Sequence, residues 1–334
     1  MSASLIVLLP VVLFGIVSLF CFVGCVLDRS GLPPSFTQYS GTVLGNPAIA
    51  AYWPLRETSD SLSAADLAPN PDYGQYIDKT TLPDIYPWPE YTIGNSPLPD
   101  ILSAAADFGG ILFAQPGIVP GDGVGNDTYV AAPCLEVNGC YVNVPLASKI
   151  NPATSFTLEA WVRVDWDKDA PHAWRAVLDA RDINPGTGFA IIARADDNAP
   201  GVYHWVALVG NGGTDAAGFT VVTSLDPITL KNPTVATSYY LAVTYDGPSQ
   251  TLTLYVDGVQ SGQVTPVVYV PNTTRPLWIG AGVPYVPLRP QDPGVVAGPL
   301  FPFVGALQDI AIYSKALAPD VIMKHLYNGT GYNG

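Results

Sequence analysis

The sequence predicts an all-β domain of two antiparallel sheets packed face to face, preceded by an apolar N-terminal helix and closed by a short C-terminal one. Three observations carry this. The chain holds 33 prolines and 32 glycines, and turn formers at that density favour many short strands over long helices. Residues 156–164 alternate, with Phe156, Leu158, Ala160 and Val162 on one face and Thr157, Glu159, Trp161 and Arg163 on the other, the period of a strand. Between residues 48 and 316 no helical pattern of comparable quality occurs, while strand-and-turn spacing recurs, as it does in two packed sheets.

After residues 1–4, an uncharged and almost wholly apolar run covers 5–27, bounded by Asp28 and Arg29. A helix of that length spans roughly 30 Å of hydrocarbon at 1.5 Å per residue. A single transmembrane helix in contact with membrane lipid is therefore expected. Pro10, near its start, is tolerable there. A cleaved signal peptide is the alternative. The absence of Lys or Arg before the run, its length and the lack of an A-x-A-like site speak against it. Phe22-Val23-Gly24-Cys25 loosely resembles a lipidation site with Cys25 as acceptor, although Phe22, Val26 and Leu27 depart from that pattern. All three readings put the remainder in one compartment, and Arg29 alone orients the span only feebly. Residues 28–47, with Gly31, Pro33, Pro34, Gly41, Gly45 and Pro47, read as a stalk, and 48–332 as the sandwich.

Within the sandwich, 48–55 reads as the first strand. The stretch 58–133 is rich in Pro, Asp, Gly and Ala, and a structureless loop of that length is unusual, so short strands and packed turns are expected inside it. Asn138-Gly139 between 135–137 and 140–144 is a type I′ hairpin signal. In such a hairpin Cys134 and Cys140 would project to opposite sheet faces, so a disulfide requires Cys134 to lie outside the ladder. Cys21 and Cys25 fall in the apolar run as fillers. Residues 239–245 and 251–256 form another pair, with Leu252, Leu254 and Val256 sharing a face and turns at Asp246-Gly247 and Asp257-Gly258. Strands follow at 276–280 and 304–313. A last helix starts at Pro319, places Val321, Ile322, His325 and Leu326 on one side, and closes at Gly329.

Composition removes some functions. The net charge is −14, nearly all the acid is aspartate, and the 14 Lys and Arg are scattered. No basic stripe exists to neutralise phosphates, so nucleic acid is not expected as a partner. His172, His204 and His325 lie at no metal spacing and form no cluster with cysteine. No Gly-x-Ser-x-Gly elbow occurs. Glycoside hydrolysis needs two carboxyls flanking one bond, whereas Glu136 and Glu159 sit on different strands. No catalytic residue is assigned and a non-enzyme is expected. Asn126, Asn272 and Asn328 each begin an N-x-[ST] triplet.

Four segments then resemble one known family. Ala51-Tyr52-Trp53-Pro54-Leu55-Arg56-Glu57 is similar to the opening strand of laminin-G-like domains in the concanavalin A-like lectin/glucanase superfamily. Residues 156–163 read FTLEAWVR, as in a recurrent strand of that family. Residues 239–247 with 254–258 resemble its central hairpin, and 303–313 with Ala316-Leu317 its closing strand. The order is right and the match covers 48–332. The resemblance implies a jelly-roll sandwich, and it leaves activity open because the fold carries lectins, adhesion modules and glycosidases. It also implies that calcium could sit at a loop rim on hard oxygen ligands. Asp179, Asp182 and Asn184 are the expected ligands, ahead of the clusters Asp196-Asp197-Asn198 and Asp165, Asp167, Asp169. Sugar binding would use an exposed aromatic, for which Trp166, Trp174 and Tyr203 are the candidates beside Trp88, while Trp53 and Trp161 read as core. The expected function is a membrane-anchored module, extracellular or periplasmic, that recognises a glycan or protein. A structural subunit and a surface glycosidase are the alternatives.

Overall fold

The computed structural model describes residues 39–57, 63–77, 92–93, 96–97, 111–115, 118–119, 134–138, 141–166, 174–230, 237–282, 301 and 303–331. All belong to one compact unit, Phe36–Gly334. The apolar run 5–27 lies outside the described residues. Among the described residues no helix is long and apolar enough to cross a membrane.

In chain order the elements are helix α1 (Tyr39–Leu44) and strands β1 (Ile49–Trp53), β2 (Ser63–Ala64), β3 (Gly74–Ile77), β4 (Thr92–Ile93), β5 (Ser96–Pro97), β6 (Ile111–Gln115), β7 (Cys134–Asn138), β8 (Tyr141–Val144), β9 (Phe156–Val164) and β10 (Trp174–Asp179). There follow β11 (Asp182–Ile183), β12 (Gly186–Thr187), β13 (Phe189–Asp196), β14 (Ala199–Gly210), β15 (Phe219–Thr223), β16 (Thr237–Asp246), β17 (Thr251–Val256), β18 (Val259–Val264), β19 (Leu277–Ile279), β20 (Val304–Tyr313) and helix α2 (Pro319–Thr330). The first sheet runs β18-β17-β16-β9-β20-β7-β6, with β1 also on β20, and the second runs β15-β14-β13-β10-β19-β8-β3-β2. Strand β20 is long enough to hold β7 along residues 304–307 and β1 along 310–313. A bulge between Gln308 and Ala311 separates the two, with Asp309 at φ +55°.

The alternation in β9 decides the layering. Phe156, Leu158, Ala160 and Val162 lie in the core between the sheets, with Trp53, Phe189, Trp205, Leu241, Leu252 and Ile312. The opposite face of β9 is also buried. Trp161 joins Tyr39, Tyr52, Tyr240, Tyr313 and Ile322 in a second cluster, where α1 and α2 cover the outside of the first sheet. A third, smaller cluster on the outside of the second sheet contains Ala176, Ile192, Val206, Leu208 and Trp278.

Several expectations change. Residues 39–44, assigned to the stalk, are a helix whose Tyr39 and Val43 are fully buried against the sandwich. Tyr39 carries a large apolar ring and a hydroxyl that finds a buried acceptor, which a solvated linker would waste. Asn138-Gly139 does not close a hairpin. Strand β7 pairs with β6 and β20 in the first sheet, whereas β8 pairs with β3 and β19 in the second. Here partition between sheets overrides the local turn preference. The expected hairpin at Asp257-Gly258 is present: φ values of +49° and +75° define a type I′ turn between β17 and β18. Gly331, at φ +69°, caps α2 in place of Gly329, because Gly329 is needed against Trp161, where a Cβ would come within 2.4 Å of the indole. Asn272 and Asn328 spend their side-chain amides on the Arg275 carbonyl at 2.8 Å and Thr42 Oγ1 at 2.7 Å. Asn126 and Cys140 lie outside the described residues.

At one flank the two sheets are stitched together. The Leu225 N–H donates to the Ser261 carbonyl at 3.0 Å, joining the end of β15 to β18. Gly262 lies so close to β15 that a Cβ there would meet the Thr223 carbonyl at 2.6 Å.

Candidate functional site

The residues expected to bind calcium are not assembled as a ligand set. Asp179 is fully buried and spent on Arg181, whose backbone N–H and Nε reach Oδ1 at 2.9 Å and whose Nη2 reaches Oδ2 at 2.5 Å. A carboxylate paired to a guanidinium in this bidentate way is already neutralised. Asp182 accepts from Thr274 Oγ1 at 2.6 Å with Arg275 at 3.8 Å, and Asn184 is exposed next to a cis proline. Among the described residues no three His, Cys, Asp or Glu side chains form a metal-holding group. Asp165 pairs with Arg163, and Asp197 with Arg194.

Two of the three candidate aromatics are core residues. Trp166 and Tyr203 are each 3% exposed and pack edge to face at 6.0 Å, with Phe303 also edge to face on Trp166 at 5.4 Å. Trp166 continues the inward parity of β9 beyond its last residue, and Tyr203 shares the inward face of β14 with Trp205 and Ala207. Neither ring can stack on a sugar. Trp174 differs: it is half-buried at the start of β10, beside the outer cluster of the second sheet.

Register builds a row around Trp174. Its cross-strand neighbour on β13 is Arg194, and Arg194 faces His204 on β14. Directly paired residues share a sheet face, so the three side chains lie side by side, all half-buried. The Arg194 guanidinium sits 5.5 Å from the Trp174 ring centroid and Phe301 lies 5.6 Å away at a tilt. His204 Nδ1 is 3.0 Å from the Ser224 carbonyl. A carbonyl only accepts, so a neutral His204 carries its proton on Nδ1 and keeps Nε2 as an acceptor. The row thus sets side by side an indole, a guanidinium lying over it and one ring-nitrogen acceptor. Arg194 and His204 were not singled out from sequence. The signal was present, because both occupy the outward parity of alternating strands.

Two glutamates among the described residues, Glu159 and Glu57, are held in structural hydrogen bonds. Glu159 has no exposed surface and accepts from Tyr39 and Tyr313, each at 3.0 Å, with His325 Nδ1 at 2.9 Å. Burial pushes its carboxyl upward, but the His325 charge and hydrogen bonds from His325, Tyr240 and Tyr313 outweigh this and hold it below its ordinary 4.5. Glu57 accepts from the Ala65 N–H at 2.7 Å and from Tyr76.

Two eight-stranded antiparallel sheets packed face to face define a β-sandwich. The chain belongs to the concanavalin A-like lectin/glucanases superfamily, through a laminin G model that matches residues 136–323. Similar solved structures include the binding domain of Paraclostridial Mosquitocidal Protein 1, 14% identical with a TM-score of 0.48 over 85% of this chain and 52% of that one. The heptameric SAP-like pentraxin from Limulus polyphemus is 12% identical, TM-score 0.37, over 52% of this chain and 70% of that one. The Ruminococcus gnavus IT-sialidase CBM40 bound to α2,6 sialyllactose is 11% identical, TM-score 0.39, over 54% and 87%. The chain spans about half the length of the mosquitocidal binding domain. A search of the curated proteins gives no match.

Proposed function

We propose that this chain is a non-catalytic, membrane-anchored binding module that recognises a glycan on the outer face of its second sheet. The observation that carries the reading is the Trp174–Arg194–His204 row, in which a half-buried indole lies beside polar side chains on the same sheet face. Sugar rings present an apolar C–H face and a rim of hydroxyls, and such a row matches both: the indole takes the face, while Arg194 donates to and His204 accepts from hydroxyls. The burial of Glu159 supports the non-catalytic part. The apolar run 5–27 supports the anchor, which would hold the module outside the cell.

A glycan array probed with the full chain tests this. Trp174→Ala is expected to weaken the best hit about tenfold to thirtyfold, as for an anchor residue worth roughly 1.4–2 kcal/mol, with the sandwich still folded. Binding that is unchanged in Trp174→Ala and Arg194→Ala rejects the row as the site. Silence on every glycan with stoichiometric capture of one protein would favour a structural subunit instead.

A further inference from the structure

Away from that face, the loop from Asp66 to Asp72 is gathered around one ammonium. Lys149, on the short turn Ser148–Ile150, places Nζ 2.8 Å from Asp66 Oδ2 and 3.4 Å from Asp72 Oδ2, and donates to the Asn70 carbonyl. Asn70, which supplies that carbonyl, holds φ at +58°, a left-handed conformation that asparagine tolerates better than most side chains. The Asp66 side chain has no exposed surface. Its Oδ1 accepts from the Tyr52 and Ala68 N–H groups at 2.9 Å each, and its Oδ2 accepts from the Asp72 N–H at 2.7 Å. Trp53 closes the loop from the core side, its Nε1 donating to the Asp72 carbonyl at 2.9 Å.

Two carboxylates and a backbone carbonyl converging on one point are the donor set of a hard divalent cation, yet the point is held by a side-chain ammonium. We infer that Lys149 acts as a tethered cation, organising residues 66–72 in place of a metal ion. The charge balance supports this. The two carboxylates bring two negative charges and the ammonium one positive, so its removal leaves the buried Asp66 carboxylate with only its backbone N–H donors. A covalently attached cation has no dissociation constant, and it fixes the loop whatever the divalent concentration outside the cell. The loop presents Leu67 and, just after it, the chain presents Tyr73, 51% and 56% exposed, so their presentation does not depend on calcium.

The experiment is a pair of substitutions in the full chain. Lys149→Ala empties the cage, whereas Lys149→Met removes the charge and keeps the bulk. Terbium is the probe, because Trp53 lies one hydrogen bond from the cage and sensitises its emission. Lys149→Ala should gain Trp-excited terbium emission over wild type and lose that gain when Asp66→Asn is added. Its Tm should fall by about 5 °C and recover by at least half in millimolar calcium. Lys149→Met should fall similarly without recovery, and wild type should be indifferent to calcium and EDTA. If Lys149→Ala fails to fold in EDTA, calcium should restore it. A Lys149→Ala chain that keeps the wild-type Tm, or that neither terbium nor calcium affects, overturns the inference.

Discussion

Two tryptophans of similar appearance in the sequence have opposite fates, and parity separates them. Trp166 continues the inward set of β9, whereas Trp174 takes the outward position opposite Arg194. Trp166→Ala should therefore cost about 3–5 kcal/mol in urea unfolding, through the lost burial and the cavity left behind. Trp174→Ala should cost less than half of that and act mainly on binding. Glu159 makes the same point with a charged group. Its partner His325 lies 166 residues further on, a separation that no local pattern reveals. Breaking a buried pair leaves an uncompensated charge, so Glu159→Ala or His325→Ala should destabilise by about 3–5 kcal/mol. Because the folded carboxyl is held below its ordinary value of 4.5, its contribution is complete above that pH and is lost as the pH falls through the folded value. The groups facing it are His325, Tyr39, Tyr240 and Tyr313. A plot of Tm against pH should drop in that acid window for wild type, and Glu159→Gln should flatten it. An equal acid drop in both would remove Glu159 as the cause.

Among the elements, those set by short-range period were the legible ones. Strand β9, the β16–β17 pair and β20 follow directly from alternation and turn dipeptides, and α2 from its proline start. What failed were elements whose form depends on distant partners. Asn138-Gly139 carries a strong hairpin signal, yet the strands on either side enter different sheets. Helix α1 is too short, at six residues, to be read from period, and its stability comes from the socket that receives Tyr39. Tyr39→Phe, which removes the 3.0 Å bond to Glu159, should cost about 1.5–3 kcal/mol. Backbone demands are equally specific. Gly305 sits at φ +147°, and a Cβ there would lie 2.0 Å from the Arg163 carbonyl. Gly305→Ala should therefore destabilise by at least about 2 kcal/mol, read as a lower urea midpoint with an unchanged slope. The Trp174 row was half legible: Trp174 came from the aromatics available in or near loops, but Arg194 and His204 join it only through register.

For the whole molecule, α1 and α2 cover the outside of the first sheet, and the glycan site proposed above is accordingly placed on the second sheet, at the Trp174 row. If residues 5–27 anchor the chain, the full protein should sediment with membranes and resist extraction by carbonate, and deletion of 1–35 should release it with its glycan binding intact. The seam where Leu225 donates to Ser261 has a further consequence. An open strand border is a template on which a neighbour can add its own strand, and proteins tethered densely in one plane meet such borders at high local concentration. The Leu225–Ser261 bond and the close approach of Gly262 to Thr223 partly cover β15 and β18, the end strands of the two sheets, so a strand added on that flank would have to displace the seam.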